Sequence, residues 1–305
     1  MADVAVIVAD YEGAAHLPDC LGSLAAQTHL PSEVIVINAG ASAESRAVAT
    51  EHGARVLDRA NKGLGWTYNE GARATSAEYV LLANNDVAFE PRCIELLAAA
   101  LDTDASTFAA DPRQLDWEGQ LTIHARTTLR RGPLLRTDIP GLVIDGVAPP
   151  HHGSPVPTAW ANAGGMLVRR ELLLALGGFD ESFFMDFEDI DVCWRAALRG
   201  WGCVYVPEAV FRHKVGGSST AKVAPKRLAS SHHNLTRFAL KCLPPGAAGK
   251  VVAAEVIRLA RAPRAVAPAL GRVLLELPVI LSERRRIKPA REVFDRLVAL
   301  SGSPS

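Results

Sequence analysis

The sequence predicts an α/β protein built on a parallel sheet covered by helices. Two observations carry this. Four β-branched runs, residues 4–8 (VAVIV), 34–37 (VIVI), 54–57 (ARVL) and 79–83 (YVLLA), alternate with helix-like stretches over the first hundred residues, which is βαβ rhythm. Each run is almost continuously apolar, as a strand buried on both faces requires. In such sheets ligands gather beyond the carboxyl ends of the strands, so residues 10–13, 38–42 and 84–86 mark the expected working edge. Residues 113–160, with scattered Gly and Pro and the pair His151 and His152, predict irregular strands and a mobile loop that would serve as a lid. Order returns with a strand at 166–168 and a short helix over 169–176 stopped by Gly177 and Gly178. Phe187, Ile190, Trp194 and Ala197 or Leu198 recur at helical spacing, giving a helix that ends before Gly200. A strand at 203–207 leads to His213. After about residue 225 the pattern is helical but interrupted by Pro244, Pro245, Pro263, Pro268, Pro278 and Pro289, which predicts several short helices.

A chain of 305 residues that is 49% apolar can bury a large core, and 22% charged residues exclude a disordered or fibrous architecture. The division expected is a catalytic domain over 1–220 and a basic, helical region over 221–305. The first residues lack the basic segment and long apolar run of a secretion signal, so the expected location is the cytoplasm. Five scattered cysteines without CxxC spacing indicate neither disulfides nor a thiolate zinc site and are expected to be buried. No run of roughly 20 uninterrupted apolar residues suggests a transmembrane span. The net charge of +0 hides an asymmetry: residues 221–305 carry 16 Lys/Arg against 5 Asp/Glu, and the preceding residues carry 17 against 28. Opposed blocks imply an anionic surface as partner for the tail and a cation for the body.

Three segments carry chemistry. LLANNDVAFEP ends a buried strand in Asn84, Asn85 and Asp86, oxygen ligands on a rigid strand end that suit Mg²⁺ or Mn²⁺, although the same letters are ordinary turn chemistry. FFMDFEDIDVCWRAALRGW crowds Asp186, Glu188, Asp189 and Asp191 at a helix start. Acids are favoured there by the helix dipole, and Asp191 can pair with Arg195 one turn later; yet Phe183, Phe184, Met185 and Phe187 supply the apolar setting of a tuned general base. AVFRHKVGGSST puts His213 after a strand and before a Gly-Gly-Ser-Ser-Thr turn that would bring amides and hydroxyls near phosphate. A strand-end histidine is a metal ligand in some proteins and a hydrogen-bonded core residue in others.

Together and in this order, these segments resemble the family 2 glycosyltransferases of GT-A fold, in particular the bacterial rhamnosyltransferase-like branch that builds cell-wall and surface polysaccharides. The likeness covers roughly residues 2–220 and is most specific over GGFDESFFMDFEDIDVCWR, with NAGGMLVRRE before it and YVPEAVFRHKVGGSST after it. The resemblance implies a mixed, mostly parallel sheet with flanking helices. It makes Asn84 and Asp86 the first and last positions of a DxD-type metal motif, with His213 completing the site for Mg²⁺ or Mn²⁺. It makes Asp189 the catalytic base, flanked by Glu188 and Asp191, which would orient acceptor or base. Donor contacts are expected from Tyr11, Asn38, Asn69, Asn84, Asn85, Gly164 and Gly165. The chain departs from the family at the nucleoside end: Ile37 stands where an aspartate is usual, and Asp10 and Glu12 replace asparagines around Tyr11.

The reaction this implies is an inverting transfer of a sugar, rhamnose being one candidate, from a nucleoside-diphosphate donor to a hydroxyl on a glycan or lipid-linked acceptor; no nucleic-acid partner is expected. The alternatives differ in what they require. A glycoside hydrolase needs two acids facing across the bond and no diphosphate-binding metal. A nucleotidyltransferase would show a basic Gly-rich N-terminal loop, and ADYEGAAH is acidic. A non-catalytic nucleotide-sugar-binding relic would bind without metal dependence. For the tail, VLLELPVIL followed by RRRIKPAR predicts a surface helix on anionic lipid at the inner face of the cell membrane, against a helical cap on the body or a homodimer contact.

Overall fold

The structure, a computed structural model, describes residues 2–134, 139–140, 142–146, 152–214 and 224–300. The amino-terminal part alternates β1 (Val4–Asp10), α1 (Leu17–Ala25), β2 (Glu33–Ala39), α2 (Ala43–Glu51), β3 (Arg55–Arg59), α3 (Leu64–Ala74) and β4 (Tyr79–Asn84), so all four expected strands form, each a little longer than its β-branched run. The centre adds β5 (Val87–Phe89), α4 (Cys93–Asp102), β6 (Thr107–Asp116), β7 (Thr122–His124), β8 (Thr127–Arg131), β9 (Leu142–Gly146), β10 (Val156–Thr158) and β11 (Leu167–Arg169). Then follow α5 (Arg170–Ala175), α6 (Glu188–Leu198) and β12 (Gly202–His213), with α7 (Ala224–Cys242), α8 (Pro245–Arg261), α9 (Pro263–Ile287) and α10 (Arg291–Ala299) closing the chain.

The main sheet runs β10-β12-β6-β11-β4-β1-β2-β3, with β5 on β12 and β7 on β6. β1 is parallel to β2 and β4, and β2 to β3; β6 and β12 are parallel to each other, and β11 is antiparallel to both β4 and β6. Six strands therefore point the same way, and the carboxyl ends of β1, β2, β4, β6 and β12 share one edge. Alternation within a strand divides the core: Val4, Val6 and Val8 of β1 pack with α1 and α4, whereas Ala5 and Ile7 face the layer that contains Tyr68, Trp194 and Phe238. At Gly71 of α3 an added Cβ would stand 2.3 Å from Ile7 Cγ2, so glycine is what lets the helix approach β1.

Two expectations change. The strand at 203–207 does not stop at Pro207 but continues to His213, because a register shift between Val206 and Val210 takes the proline out of the ladder. The tail is not a string of short helices: α9 is 25 residues long with Pro268 and Pro278 inside it. Both prolines lie on its exposed face, so the carbonyls they leave without an intrahelical donor meet solvent, while Pro245 and Pro263 start α8 and α9, where a missing N–H costs nothing. All five cysteines are free and buried, as expected. The predicted irregular strands are β7 to β10; part of the expected lid, including His151, and the Gly-Gly-Ser-Ser-Thr turn at 216–220 lie outside the described residues.

Candidate active site

Asp86 sits in the tight turn between β4 and β5, and the β5–β12 ladder pairs Val87 with His213. That register brings the two predicted metal ligands together: His213 Nε2 lies 3.1 Å from Asp86 Oδ1, and the Lys214 N–H donates to the Asp86 carbonyl at 3.0 Å. The other ring nitrogen, Nδ1, meets Gln114 Nε2 at 2.7 Å, and Gln114 Oε1 accepts from Asn162 Nδ2 at 3.2 Å. Among the described residues no group of three or more His, Cys, Asp or Glu side chains forms a closed metal cage. Asp86, 4% exposed, and His213 offer one oxygen and one nitrogen donor side by side, groups that could hold a divalent cation.

Asp189 opens α6. The helix starts with Phe187 in the left-handed region, without a side-chain cap, and its first turn carries Glu188, Asp189 and Asp191, so the positive end of the helix faces three carboxylates. Asp189 accepts from its neighbour's Ile190 N–H at 2.7 Å and from the Ala163 N–H. Burial pushes its pKa up, against the pull of the Ile190 amide, His124 and the Ala163 amide. A carboxylate with a raised pKa is what a general base needs. The turn at residues 162–164 organises this side of the cleft: the Asn162 N–H goes to Asp111 Oδ1 at 3.0 Å, the Ala163 N–H to Asp189, and the Gly164 N–H to Asn162 Oδ1 at 2.8 Å. Asp111, wholly buried on β6, also holds His124 Nε2 at 2.9 Å. Burial opposes a charged His124 ring, but Asp111 outweighs it and Asp189 adds to it, so the His124 pKa is raised.

Tyr68 joins the two halves. Its hydroxyl donates to Asn84 Oδ1 at 3.0 Å, and burial raises its pKa well above the ordinary value, with Glu188, Asp86 and Asp189 all adding to the effect. The Tyr68 hydroxyl thus feels the negative charge of Glu188, Asp86 and Asp189 while it is bonded to Asn84. The sequence did not single out Tyr68, Asp111, Gln114, His124 or Asn162. Of these, Asp111 left the clearest trace, as the polar letter that ends the apolar run 108–110.

Three of the expected site residues have their polar atoms engaged within the protein. Asp191 is fully buried, and its oxygens are taken by Arg195 Nε at 2.7 Å, Lys241 Nζ at 2.7 Å and the Cys242 thiol, so it ties α6 to α7 and has nothing left for an acceptor. Asn69, 2% exposed, spends its amide on the Gly-Gly-Phe-Asp turn: Nδ2 donates to the Phe179 carbonyl and Glu181, and Oδ1 accepts from the Phe179 N–H. Gly178, at φ 80°, would place a Cβ 2.3 Å from that oxygen, which explains the glycine. Asn38 is likewise consumed, donating to the Ser42 carbonyl and to Asp58 and accepting from the Ser42 N–H. Register pairs Asn38 with Asp58, so a carboxylate stands one strand away from Ile37, where the resemblance led to an aspartate being expected.

Of the other expected donor contacts, Tyr11 is exposed while Asn85, Gly164 and Gly165 are buried. Tyr11 is 49% exposed, with its ring against Gly40. Asn85 Nδ2 donates to Asp10 Oδ1 at 2.7 Å, and Asp10 Oδ2 is buried without a partner. Gly164 and Gly165 are buried behind Asn84 and Phe211.

The chain is similar to known proteins in sequence and in fold. A mycobacterial protein, the N-acetylglucosaminyl-diphospho-decaprenol L-rhamnosyltransferase of Mycobacterium tuberculosis, is 31% identical over 261 residues, covering 78% of this chain and 84% of that one. Among solved structures, GalNAc-T7 with UDP, GalNAc and Mn²⁺ superposes with a TM-score of 0.62 at 14% identity, over 80% of this chain and 49% of that one. The mannosyltransferase PcManGT from Pyrobaculum calidifontis, with GDP-Man and Mn²⁺, gives 0.54 at 17% identity over 94% and 87%. These neighbours share the GT-A fold. The description Glycosyltransferase like family 2 matches residues 2–238. The chain therefore belongs to glycosyltransferase family 2, as a hexosyltransferase of the rhamnosyltransferase-like branch.

Proposed function

We propose that the protein transfers a hexose, with rhamnose the leading candidate, from a nucleoside-diphosphate donor to a hydroxyl of a lipid-linked glycan in cell-wall or surface polysaccharide synthesis, with inversion at the anomeric carbon. The observation that carries this reading is Asp189, a carboxylate at the start of α6 whose pKa burial raises and which two backbone amides hold. Asp189 takes the acceptor's proton as its oxygen bonds to the anomeric carbon, and the bond to the diphosphate breaks with its electron pair leaving on the nucleoside diphosphate. A divalent cation, Mg²⁺ or Mn²⁺, held by Asp86 and His213 would supply charge to meet the departing diphosphate. Tyr11 offers its ring to the nucleobase, while Asn84, Asn85, Gly164 and Gly165 border the diphosphate and sugar. The rhamnose and lipid-linked assignments rest on the mycobacterial relative's name. Purified protein screened against nucleotide sugars with Mg²⁺ or Mn²⁺, with the product's anomeric configuration read by NMR, tests donor and stereochemistry together; a retained configuration contradicts the single displacement.

Membrane contact belongs to the same proposal. α9 exposes Leu274 at 69%, Leu275 at 86%, Val279 at 54% and Leu281 at 43%, and exposed Arg264, Arg285 and Arg286 flank this face. By length and composition α9 is also the helix among the described residues that passes as a membrane span, with a mean hydropathy of 1.6 over a window only 22% buried. An apolar face between cations suits peripheral contact with anionic lipid. Leu274→Glu with Leu275→Glu should abolish sedimentation with phosphatidylglycerol vesicles; unchanged sedimentation contradicts the contact, and loss of a dimer instead assigns the face to a second copy.

A further inference from the structure

The segment just before Asp189 holds an improbable backbone. Asp186 and Phe187 are consecutive non-glycine residues at φ 69° and 75°, a conformation that L residues adopt only when their surroundings impose it. The support comes from two directions. The Phe184 carbonyl accepts from the Leu64 N–H at 2.9 Å, beside Gly63, where any Cβ would lie 2.6 Å from that oxygen. From the other side α7 supplies Asn234, which is 1% exposed and whose Nδ2 donates to the Met185 carbonyl at 2.8 Å and the Asp186 carbonyl at 2.9 Å. Asn234 Oδ1 meets His233 Nδ1 at 2.8 Å, and His233 Nε2 meets Glu276 of α9 at 2.9 Å. One turn along α7, Phe238 packs on the Phe187 ring with centroids 6.0 Å apart.

We propose that Asn234 is a positioning residue for transfer: from the helical carboxyl-terminal region it fixes the left-handed step at Asp186 and Phe187 and so aims Asp189 at the acceptor. One amide group with both hydrogens spent on successive carbonyls sets the path of the chain there. The residue that follows is the first of α6, and Asp189 comes next. The helical region is thereby part of the catalytic apparatus, and the His233–Glu276 link ties this clamp to the same helix that presents the exposed leucines.

The inference rests on Asp189 being the base, so Asp189→Asn is measured beside the test variants. Asn234→Ala removes the clamp, and Asn234→Asp keeps its shape but sets oxygens against both carbonyls. His232→Gln, at a residue of α7 whose 2.8 Å pair with Glu255 of α8 it breaks, controls for loosening of α7 alone. Both Asn234 variants should lower kcat on the order of 10- to 100-fold, as misplacement of a reacting group does. They should leave nucleoside diphosphate binding within about twofold and speed amide exchange over residues 183–188, while His232→Gln does neither. Unchanged kcat, a kcat loss without faster exchange in that segment, or an equal loss in His232→Gln overturns the inference. If one Asn234 variant fails to fold, the other carries the test. Full activity in Asp189→Asn would instead remove the base assignment, and the exchange result would still report on the clamp.

Discussion

Replacing Asp191 by asparagine separates two carboxylates that stand two residues apart in the sequence. Asp191 is fully buried between Arg195, 8% exposed, and Lys241, 2% exposed, with 2.7 Å to each. Losing one charge from a buried, hydrogen-bonded group of this kind costs about 3–5 kcal/mol. The lower end applies here, because Arg195 keeps the Leu176 and Gly178 carbonyls and Lys241 keeps Asp180. A loss of about 3 kcal/mol corresponds to a Tm fall of roughly 5 °C in a protein of this size. Asp189→Asn, at a part-exposed position with no cation in hydrogen-bond contact, should leave Tm nearly unchanged and reduce transfer by roughly 10²–10⁴-fold. Thermal melts and nucleoside diphosphate release, measured on the same preparations well below the melting range, give both readouts. An Asp191→Asn protein with native Tm and no activity would refute the structural assignment and return Asp191 to the chemistry.

Two further outcomes follow from the site. His124 lowers the Asp189 pKa that burial raises, so His124→Gln should shift the acid limb of the rate profile to higher pH. The sign follows because the base works ionised and activity is lost as pH falls through its pKa; an unshifted limb contradicts the pairing. At Gly13 a Cβ would stand 1.7 Å from Asn85 Nδ2 and 2.5 Å from Asp10 Oδ1, so Gly13→Ala should weaken nucleotide binding, read by calorimetry, with little loss of secondary structure by circular dichroism, and unchanged binding would place the Asp10–Asn85 pair outside the donor site.

Strand ends were legible in the sequence wherever an apolar run stopped at a polar letter. Asp86 stands out that way, Asp189 by the crowd of acids at a helix start, and His213 because it follows a strand, although the bulge that carries β12 past Pro207 to reach it left no local signal. Side-chain direction was not legible. Asp189 and Asp191 look alike in a list of acids, and what separates them is the rotation of α6, which turns one toward His124 and the other toward Lys241 of a helix fifty residues later. Asn69 and Asn38 fit the donor-pocket pattern by position, yet each is absorbed by a turn it builds. His124 escaped notice because β7 is three residues long and its burial comes from Asp111 on a neighbouring strand, a contact with no periodicity to reveal it. The long α9 escaped because prolines on a solvated face break the pattern without breaking the helix.

The central claim is that Asp189 removes the acceptor proton at a donor site built by Asp86 and His213. The most direct measurement is nucleoside diphosphate release from a nucleotide-sugar donor with acceptor present, comparing the wild type with Asp189→Asn at matched nucleotide occupancy. The account predicts acceptor-dependent release by the wild type, and a variant that binds nucleotide equally well but has lost transfer. Transfer at the wild-type rate in Asp189→Asn would contradict it.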